Sequence, residues 1–389
     1  MSVGAMAATL VLASLTLTGS ALGIVSTSTT AGSQQTCVRY GGNPVIPQSP
    51  FSGANATEKP SVIWNGTTYD MWYSVGVEGY SDIGYATSTN GANWSFYPGP
   101  VLQHGVNGSW DSGGVYAPSV LWNGSFYLMY FTGARNTVSS KSIGVAFSKD
   151  MLHWQEYPEN PIMTPGPGPY DSLYVRSGTV LFHGHSYQMW YTGAPTGTAN
   201  FDVAIDYANS SDGIHWTKYA GNPVMTDKGG AGSPSVVEIG GSYLMVFNWF
   251  YITDATSPDG IHWSWYNTEL LNGTGVPSDW EGTVEDPSFV ISNYTMLLWF
   301  TGYGFYTPPQ LPAPNPAIGL AYCPIVVVPT TVTTTLIRTT MEVSTSAQTI
   351  VTTAHVTVTS PGVADYQVGM VILGAAAVAF AILAFRKSR

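Results

Sequence analysis

The residues best suited to chemistry in this chain fall at one recurring place. Glu58-Lys59, Tyr116-Ala117, Arg176-Ser177, Gly232-Ser233 and Glu285-Asp286 each stand immediately before an apolar run. Two carboxyl groups brought face to face are the equipment of general acid/base catalysis, one giving a proton while the other attacks or takes one. Glu58, Glu285 and Asp286 are the catalytic candidates on that ground. Other readings of them stay open: Glu58-Lys59 as a solvated pair, and Glu285 or Asp286 as caps on neighbouring backbone N–H groups.

A second recurring place, between two later runs, brings Glu78, Tyr80, Asp82, Arg135, Asp202, Trp249, Tyr251, Tyr303, Phe305 and Tyr306. Aromatic rings stack on the apolar faces of sugars, and carboxylates accept from sugar hydroxyls. The mixture suits carbohydrate. Tyr80, Asp202, Trp249, Tyr303 and Arg176 are therefore expected to bind substrate, with Arg176 holding a substrate carboxylate or neutralising Glu285. No metal set emerges. His153, His215 and His262 each precede a Trp at equivalent repeat positions, so they are spread around the fold and read as outer-strand packing. Asp111, Asp171 and Asp227 also recur at one repeat position and read as structural. No cofactor is expected, although carboxylates and carbonyls of the kind that bind calcium are at hand.

The elements that must position these residues are written five times. PSVIWNGTTYDMWYS from Pro60, PSVLWNGSFYLMYFTG from Pro118, GTVLFHGHSYQMWYTG from Gly178, PSVVEIGGSYLMVFN from Pro234 and PSFVISNYTMLLWFTG from Pro287 begin successive copies. Each continues through a third run to a turn such as Ser211-Asp212-Gly213, then a fourth run near Trp94, Trp154, Trp216 or Trp263. β-Branched and aromatic residues with frequent turn signals read as strands. A four-stranded unit repeated at this period is a propeller blade. The expected fold is all-β: a five-bladed β-propeller over residues 37–323.

The fifth copy stops at Cys323, before its fourth strand. CVRYGGNPVI, from Cys37 to Ile46, matches WTKYAGNPVM, from Trp216 to Met225. The first strand of the chain should therefore complete the last blade. Cys37 and Cys323 would then face each other across an antiparallel hairpin, at a spacing suited to a disulfide.

Outside the repeats the composition changes. Residues 1–32 read as a signal peptide or leader. Residues 324–365, rich in Thr, Val and Ser, read as an extended stalk. Residues 366–385 read as a single transmembrane helix, and the basic tail 386–389 places the propeller outside the cell. Sequons at Asn65, Asn123 and Asn293 fall between strands one and two, and those at Asn93 and Asn209 lie near the turn between strands three and four. Glycans there would leave the opposite mouth open. Charged residues make up 9% of the chain, and its formal net charge is -11. That charge argues against nucleic acid as a partner, and the scarcity of ionisable groups suits an acidic exterior.

The motifs carry a resemblance. NPVI (Asn43–Ile46), then PSVIWNGTTYDMWYS, then YAPSVLWNGSFYLMYFTG from Tyr116 follow the order seen in the arabinanase, xylosidase and invertase superfamily, glycoside hydrolase families 43 and 32. IGYATSTNGANW from Ile83 also resembles relatives of the mannoside phosphorylases. The resemblance implies a five-bladed propeller with a carbohydrate site at one mouth. It also implies an Asp before the first blade's Pro, an Asp before the third blade's first strand and a Glu in the fourth blade. Lys59, Ser177 and Gly232 stand in those places, so the usual triad is not carried over. The expected function is a cell-surface, carbohydrate-active protein. It either hydrolyses glycans through Glu58 and Glu285-Asp286, or binds sugar without catalysis. Phosphorolysis would need a basic pocket from Lys59, Arg135, Lys141 and Arg176.

Overall fold

A computed structural model of the protein describes residues 36–47, 50–77, 79–135, 141–196, 203–226, 230–265, 268–276, 279–292, 295–304, 315–325, 331–335 and 355–359. Five four-stranded antiparallel sheets form a propeller. Blade 1 runs β2 (Ala54–Trp64), β3 (Tyr69–Val77), β4 (Tyr80–Ser88) and β5 (Ser95–Phe96), after the short β1 (Val38–Arg39). Blade 2 is β6 (Gly114–Trp122), β7 (Tyr127–Ala134), β8 (Lys141–Ser148) and β9 (Gln155–Glu156). Blade 3 is β10 (Tyr174–His183), β11 (Ser186–Ala194), β12 (Ala204–Ser210) and β13 (Thr217–Lys218). Blade 4 is β14 (Gly232–Ile239), β15 (Ser242–Asn248), β16 (Ile252–Ser257) and β17 (Ser264–Trp265). Blade 5 holds β18 (Thr283–Ser292), β19 (Thr295–Tyr303) and β20 (Ala317–Pro324), and its outer strand is β1.

The ring closes as the sequence requires. Val38 pairs with Tyr322 and Arg39 with Ala321, Ile46 bridges Ile318, and Cys37 is disulfide-bonded to Cys323. The Asn-Pro motif explains its own recurrence. Asn43 donates to Leu320 O at 2.9 Å and accepts from Leu320 N at 2.8 Å, so its side-chain amide extends the ladder of the third strand. Asn160 does the same for Val145 and Asn222 for Tyr207.

Blade-to-blade contacts also repeat. Trp72, Trp190 and Trp299 are fully buried on second strands. Each indole donates to a turn carbonyl of the next blade: Met151 O at 3.3 Å, Gly260 O at 2.7 Å and Gly91 O at 2.9 Å. Trp154, Trp263 and Trp94 meet them edge-on. His153, His215 and His262 each bond an Asp three residues earlier at 2.7 Å. The His-Trp pairs are packing and turn elements, as their recurrence implied.

On the inner strands, hydroxyls link blade to blade. Ser288 Oγ accepts from Val62 N at 3.0 Å, Ser61 Oγ from Val120 N at 3.2 Å, Ser119 Oγ from Val180 N at 3.1 Å, and Thr179 Oγ1 from Val236 N at 3.1 Å. A buried backbone N–H left unpaired is costly, so these hydroxyls help fix how the blades stack.

Residues 331–335 and 355–359 pair as a two-stranded antiparallel ribbon, β21 (Thr331–Thr335) with β22 (His355–Thr359), in a separate compact unit. An extended stalk was expected there, and alternating Thr and Val instead favour strand pairing. The leader 1–32, the helix expected at 366–385 and the tail 386–389 lie outside the described residues. Among the described residues no helix is long and apolar enough to cross a membrane.

Candidate functional site

Each inner strand carries a β-bulge at the dipeptide that precedes its apolar run. Lys59, Ala117, Ser233 and Asp286 there adopt φ of 55°, 50°, 50° and 49°. Such a conformation in a non-glycine residue costs about 1–2 kcal/mol and persists where the surroundings over-determine it. Here the preceding blade supplies a cap. Lys59 N donates to Thr301 Oγ1 at 2.8 Å, Ala117 N to Ser74 Oγ at 2.9 Å, Ser233 N to Thr192 Oγ1 at 2.9 Å, and Asp286 N to Asn248 Oδ1 at 3.3 Å. The bulges bend the inner strands and carry these side chains to one mouth of the channel. There Lys59, Arg176, Ser233 and Asp286, with Pro60, Pro118, Pro234 and Pro287, line a cavity of about 40 Å³.

Four blades contribute to a single polar network. Tyr303 Oη lies 2.7 Å from Glu58 Oε2, 3.0 Å from Asp286 Oδ2 and 2.9 Å from Lys59 Nζ. Having one proton, the phenol donates to one carboxylate at a time while accepting from the ammonium. Lys59 Nζ also bonds Glu58 Oε2 and lies 3.5 Å from Asp286 Oδ2. Ser233 Oγ donates to Asp286 Oδ1 at 2.6 Å and accepts from Arg176 Nη2 at 2.7 Å. The oxygens of Glu58 and Asp286 that share Tyr303 are thus less than about 6 Å apart, in the neighbourhood of the ~5 Å separation of retaining carboxylate pairs.

Environment drives the neighbouring carboxyls apart. Burial and the charge of Asp286 raise the Glu285 pKa above the usual carboxylate range. Burial would raise Asp286 too, but the Lys59 ammonium, the Arg176 guanidinium and the hydrogen bonds from Ser233 and Tyr303 hold it below that range. Lys59, buried among Asp286 and Glu58, has its pKa raised. Carboxyl pairs pushed apart in this way are how an acid and its partner divide their roles.

Of the residues singled out in the sequence, Glu58, Glu285, Asp286, Arg176 and Tyr303 gather at this mouth. Tyr80 is half-exposed and stacks on His104, with ring centroids 4.3 Å apart and planes 2° apart, and His104 in turn bonds Asp82 at 2.8 Å. Trp249 packs with Phe250, Tyr251 and Trp265 in an aromatic group on blade 4. Of the singled-out residues Arg176 and Asp286 line the cavity itself, and Glu58, Glu285, Tyr303, Tyr80 and Trp249 do not. Asp202 lies outside the described residues, as do Glu78, Asp227, Phe305, Tyr306 and Asn293. Sequence reasoning placed Tyr116 and Ser233 before their apolar runs without giving either a role, and it did not name Thr301 or Tyr174. Ser233 had a signal, since it holds the same pre-proline place as Lys59 and Asp286.

Two of the sequons have another explanation. Asn65 Oδ1 accepts from the backbone of Thr67 and Thr68, while its Nδ2 donates to Thr68 Oγ1 and Asp70 Oδ2. Asn123 makes the same backbone bonds to Ser125 and Phe126 and donates to Tyr187 Oη. The Asn-Gly-Ser/Thr sequence at both is that of an Asx turn, and the nitrogen that would carry a glycan is already engaged.

The architecture is that of a five-bladed β-propeller. Residues 111–247 match the Glycosyl hydrolases family 32 N-terminal domain. Among curated proteins, an uncharacterised protein of Mycobacterium tuberculosis (strain CDC 1551 / Oshkosh) is 29% identical over 223 residues, spanning 53% of this chain and 73% of that one. A glycosyl hydrolase from Bacteroides ovatus superposes with a TM-score of 0.56 at 15% identity, over 76% of this chain and 96% of its own. A family 117 glycoside hydrolase of the marine bacterium Zobellia galactanivorans superposes with a TM-score of 0.54 at 13% identity, over 69% of this chain and 84% of its own. At these identities the two structures speak for the fold alone.

Proposed function

We propose that the channel mouth is a carbohydrate site and that the protein is a glycoside hydrolase-like propeller acting on extracellular glycans. One observation carries this reading: carboxyl groups from blades 1 and 5 meet at the mouth in one network, with the Glu285 pKa pushed up and that of Asp286 held down. Glu285 would protonate the leaving oxygen. Glu58, fixed by Tyr303, would serve on the other side of the bond, and Asp286 would hold Tyr303 and Lys59 in place. Support for a cell-surface location comes from the leader-like residues 1–32, the apolar run 366–385 followed by Arg386 and Lys387, and a disulfide that suits an oxidising compartment.

A second reading is favoured by Lys59. Its ammonium contacts both Glu58 and Asp286, and an amine in that place dampens a carboxylate's basicity. The protein would then bind sugar without cleaving it. Glu285→Gln separates the two. The Glu285 side chain makes no hydrogen bond or ion pair among the described residues, so the variant should fold normally. If the enzyme reading holds, kcat on the glycosides that the wild type turns over falls by about 10²–10⁴-fold while binding is kept. A wild type that binds glycans but turns none over supports the binding protein and ends the hydrolytic assignment.

A further inference from the structure

The cations at the mouth are not all ion-paired among the described residues. Lys59 is tied to Glu58 and Asp286. Lys141, at the start of β8, is not tied in this way. Its ammonium stands 4.7 Å from the centroid of the Tyr174 ring and 5.8 Å from that of Tyr116. Among the described residues no carboxylate lies within 4.0 Å of it. Arg176 lines the cavity, and among the described residues one of its five donors is engaged, on Ser233 Oγ.

We propose that the mouth takes a glycan bearing a carboxylate, that is, a uronate, with the carboxylate seated between Arg176 and Lys141 and the sugar ring lying above it; this rests on the carbohydrate reading above. The geometry fits in three respects. The guanidinium offers the planar pair of N–H donors that matches a carboxylate. The cavity of about 40 Å³ is too small for a sugar ring but accepts a group the size of a water molecule or two. Tyr116 and Tyr174 flank the Lys141 ammonium, and the charge of Arg176 acts on it.

Charge favours an anion beside these two groups. Among the described residues Lys59 is ion-paired to Glu58 and Asp286, whereas neither Lys141 nor Arg176 has a carboxylate within 4.0 Å. Burial and the positive charges of Arg176 and Lys59 lower the Lys141 pKa to about 8, and a ligand carboxylate would offset that repulsion.

The test compares uronate oligosaccharides with their carboxyl-reduced counterparts, which keep linkage and size but lose the charge. Calorimetry should find the acid form bound at least about tenfold more tightly. That preference should vanish in Lys141→Gln and Arg176→Gln, and it should weaken in the wild type as pH rises from 7 to 9 and Lys141 loses its proton. If Arg176→Gln fails to fold, Lys141→Gln, at a partly exposed strand end, carries the test alone. Equal binding of the two forms overturns the carboxylate assignment and leaves the carbohydrate site standing. Binding of neither form overturns both. Turnover or binding that depends on inorganic phosphate, with no preference for the uronate, assigns the basic groups to phosphate and overturns the proposal.

Discussion

Asp206→Asn is expected to stabilise the protein at pH 7 by a few kcal/mol and to change nothing near pH 4. Asp206 sits on β12 with 1% exposure, and its Oδ1 has no hydrogen-bond partner. Burial and the nearby charge of Asp171 raise its pKa to about 7. Lys218 offsets this only in part, because its ammonium bonds Asp171 Oδ2 at 2.5 Å and Thr164 O at 2.8 Å. The folded pKa therefore lies above the unfolded value of about 3.9. The folded state binds the proton more tightly, so the contribution to stability is complete below about pH 4 and is lost as pH rises through 7. At about 1.4 kcal/mol per pKa unit, a rise of some three units bounds the loss at about 4 kcal/mol. Asparagine cannot ionise and keeps at pH 7 what aspartic acid keeps only when protonated. Its amide can also donate to Asp171 Oδ1, which has no partner of its own. Denaturation at pH 4 and pH 8 checks this: a variant that shifts stability equally at both values removes Asp206 as the cause.

The same linkage gives the wild type an acid-favoured fold. Glu285 and Asp70 share the upward direction and gain on acidification. The turn carboxylates Asp212 and Asp259 move the other way, held low by hydrogen bonds from His215 and His262 and from backbone N–H groups. Their contribution is lost only as pH falls below the unfolded carboxylate range, and their exposure keeps it small. Stability should therefore climb from pH 7 towards pH 4 and decline below that. A chain with 9% charged residues has few other groups to oppose the trend.

Asp206 also shows where repeat reading runs out. Gly84, Gly144 and Gly319 hold its place in three other blades, each opposite an aromatic ring (Tyr73, Phe131 or Phe300) that leaves no room for a Cβ. The departure from glycine was visible in the sequence. Its consequence was not, because it depends on Asp171 reaching the same buried spot from a loop. The fold itself was legible because identical local rules are applied five times: the apolar run, the Asn or Gly turn, the Trp of the outer strand. Even the closing strand could be placed, since NPVI carries the signature of a blade's end and lacks only a blade.

The site was legible by position and not by role. The bulge gives two consecutive residues of each inner strand access to the mouth, so the offset before each apolar run picked out Glu58, Arg176, Glu285 and Asp286. Tyr303 came from the second-to-third loop by the same logic. The same logic named Tyr80 and Trp249, whose rings pack on His104 and on Phe250, Tyr251 and Trp265. What no spacing could reveal is the partnership. Lys59 looked like the loss of a family carboxylate; in space it joins Glu58, Tyr303 and Asp286. Lys141 lies at a strand start far along the chain from Arg176, and only the curvature of the ring brings them near.

Removing the Cys37–Cys323 bond should produce the other large effect. The outer strand of blade 5 is short, Val38–Arg39, and is held by bonds such as Tyr40 N to Leu320 O and Cys37 N to Leu270 O, both 2.9 Å. Both sulfurs lie in the apolar cluster with Leu270, Met296 and Ala321. The bond spans 286 residues, and for a loop of that length chain entropy sets its contribution at about 5 kcal/mol, with delivered values usually lower. Reduction, or Cys37→Ala with Cys323→Ala, should lower Tm by roughly 10 °C. The effect should also reach the mouth. Blades 5 and 1 meet through Lys59 N on Thr301 Oγ1 and Val62 N on Ser288 Oγ, and Tyr303 joins Glu58 across the same seam. Loosening the closing strand frees the blade that carries Glu285, Asp286 and Tyr303 from the blade that carries Glu58. Glycan binding should therefore weaken at temperatures well below the new Tm. An unchanged Tm on reduction, or two free thiols in the native protein, would remove the crosslink from this account. A lowered Tm with unaltered binding would show that the inner hydroxyl links hold the seam without it.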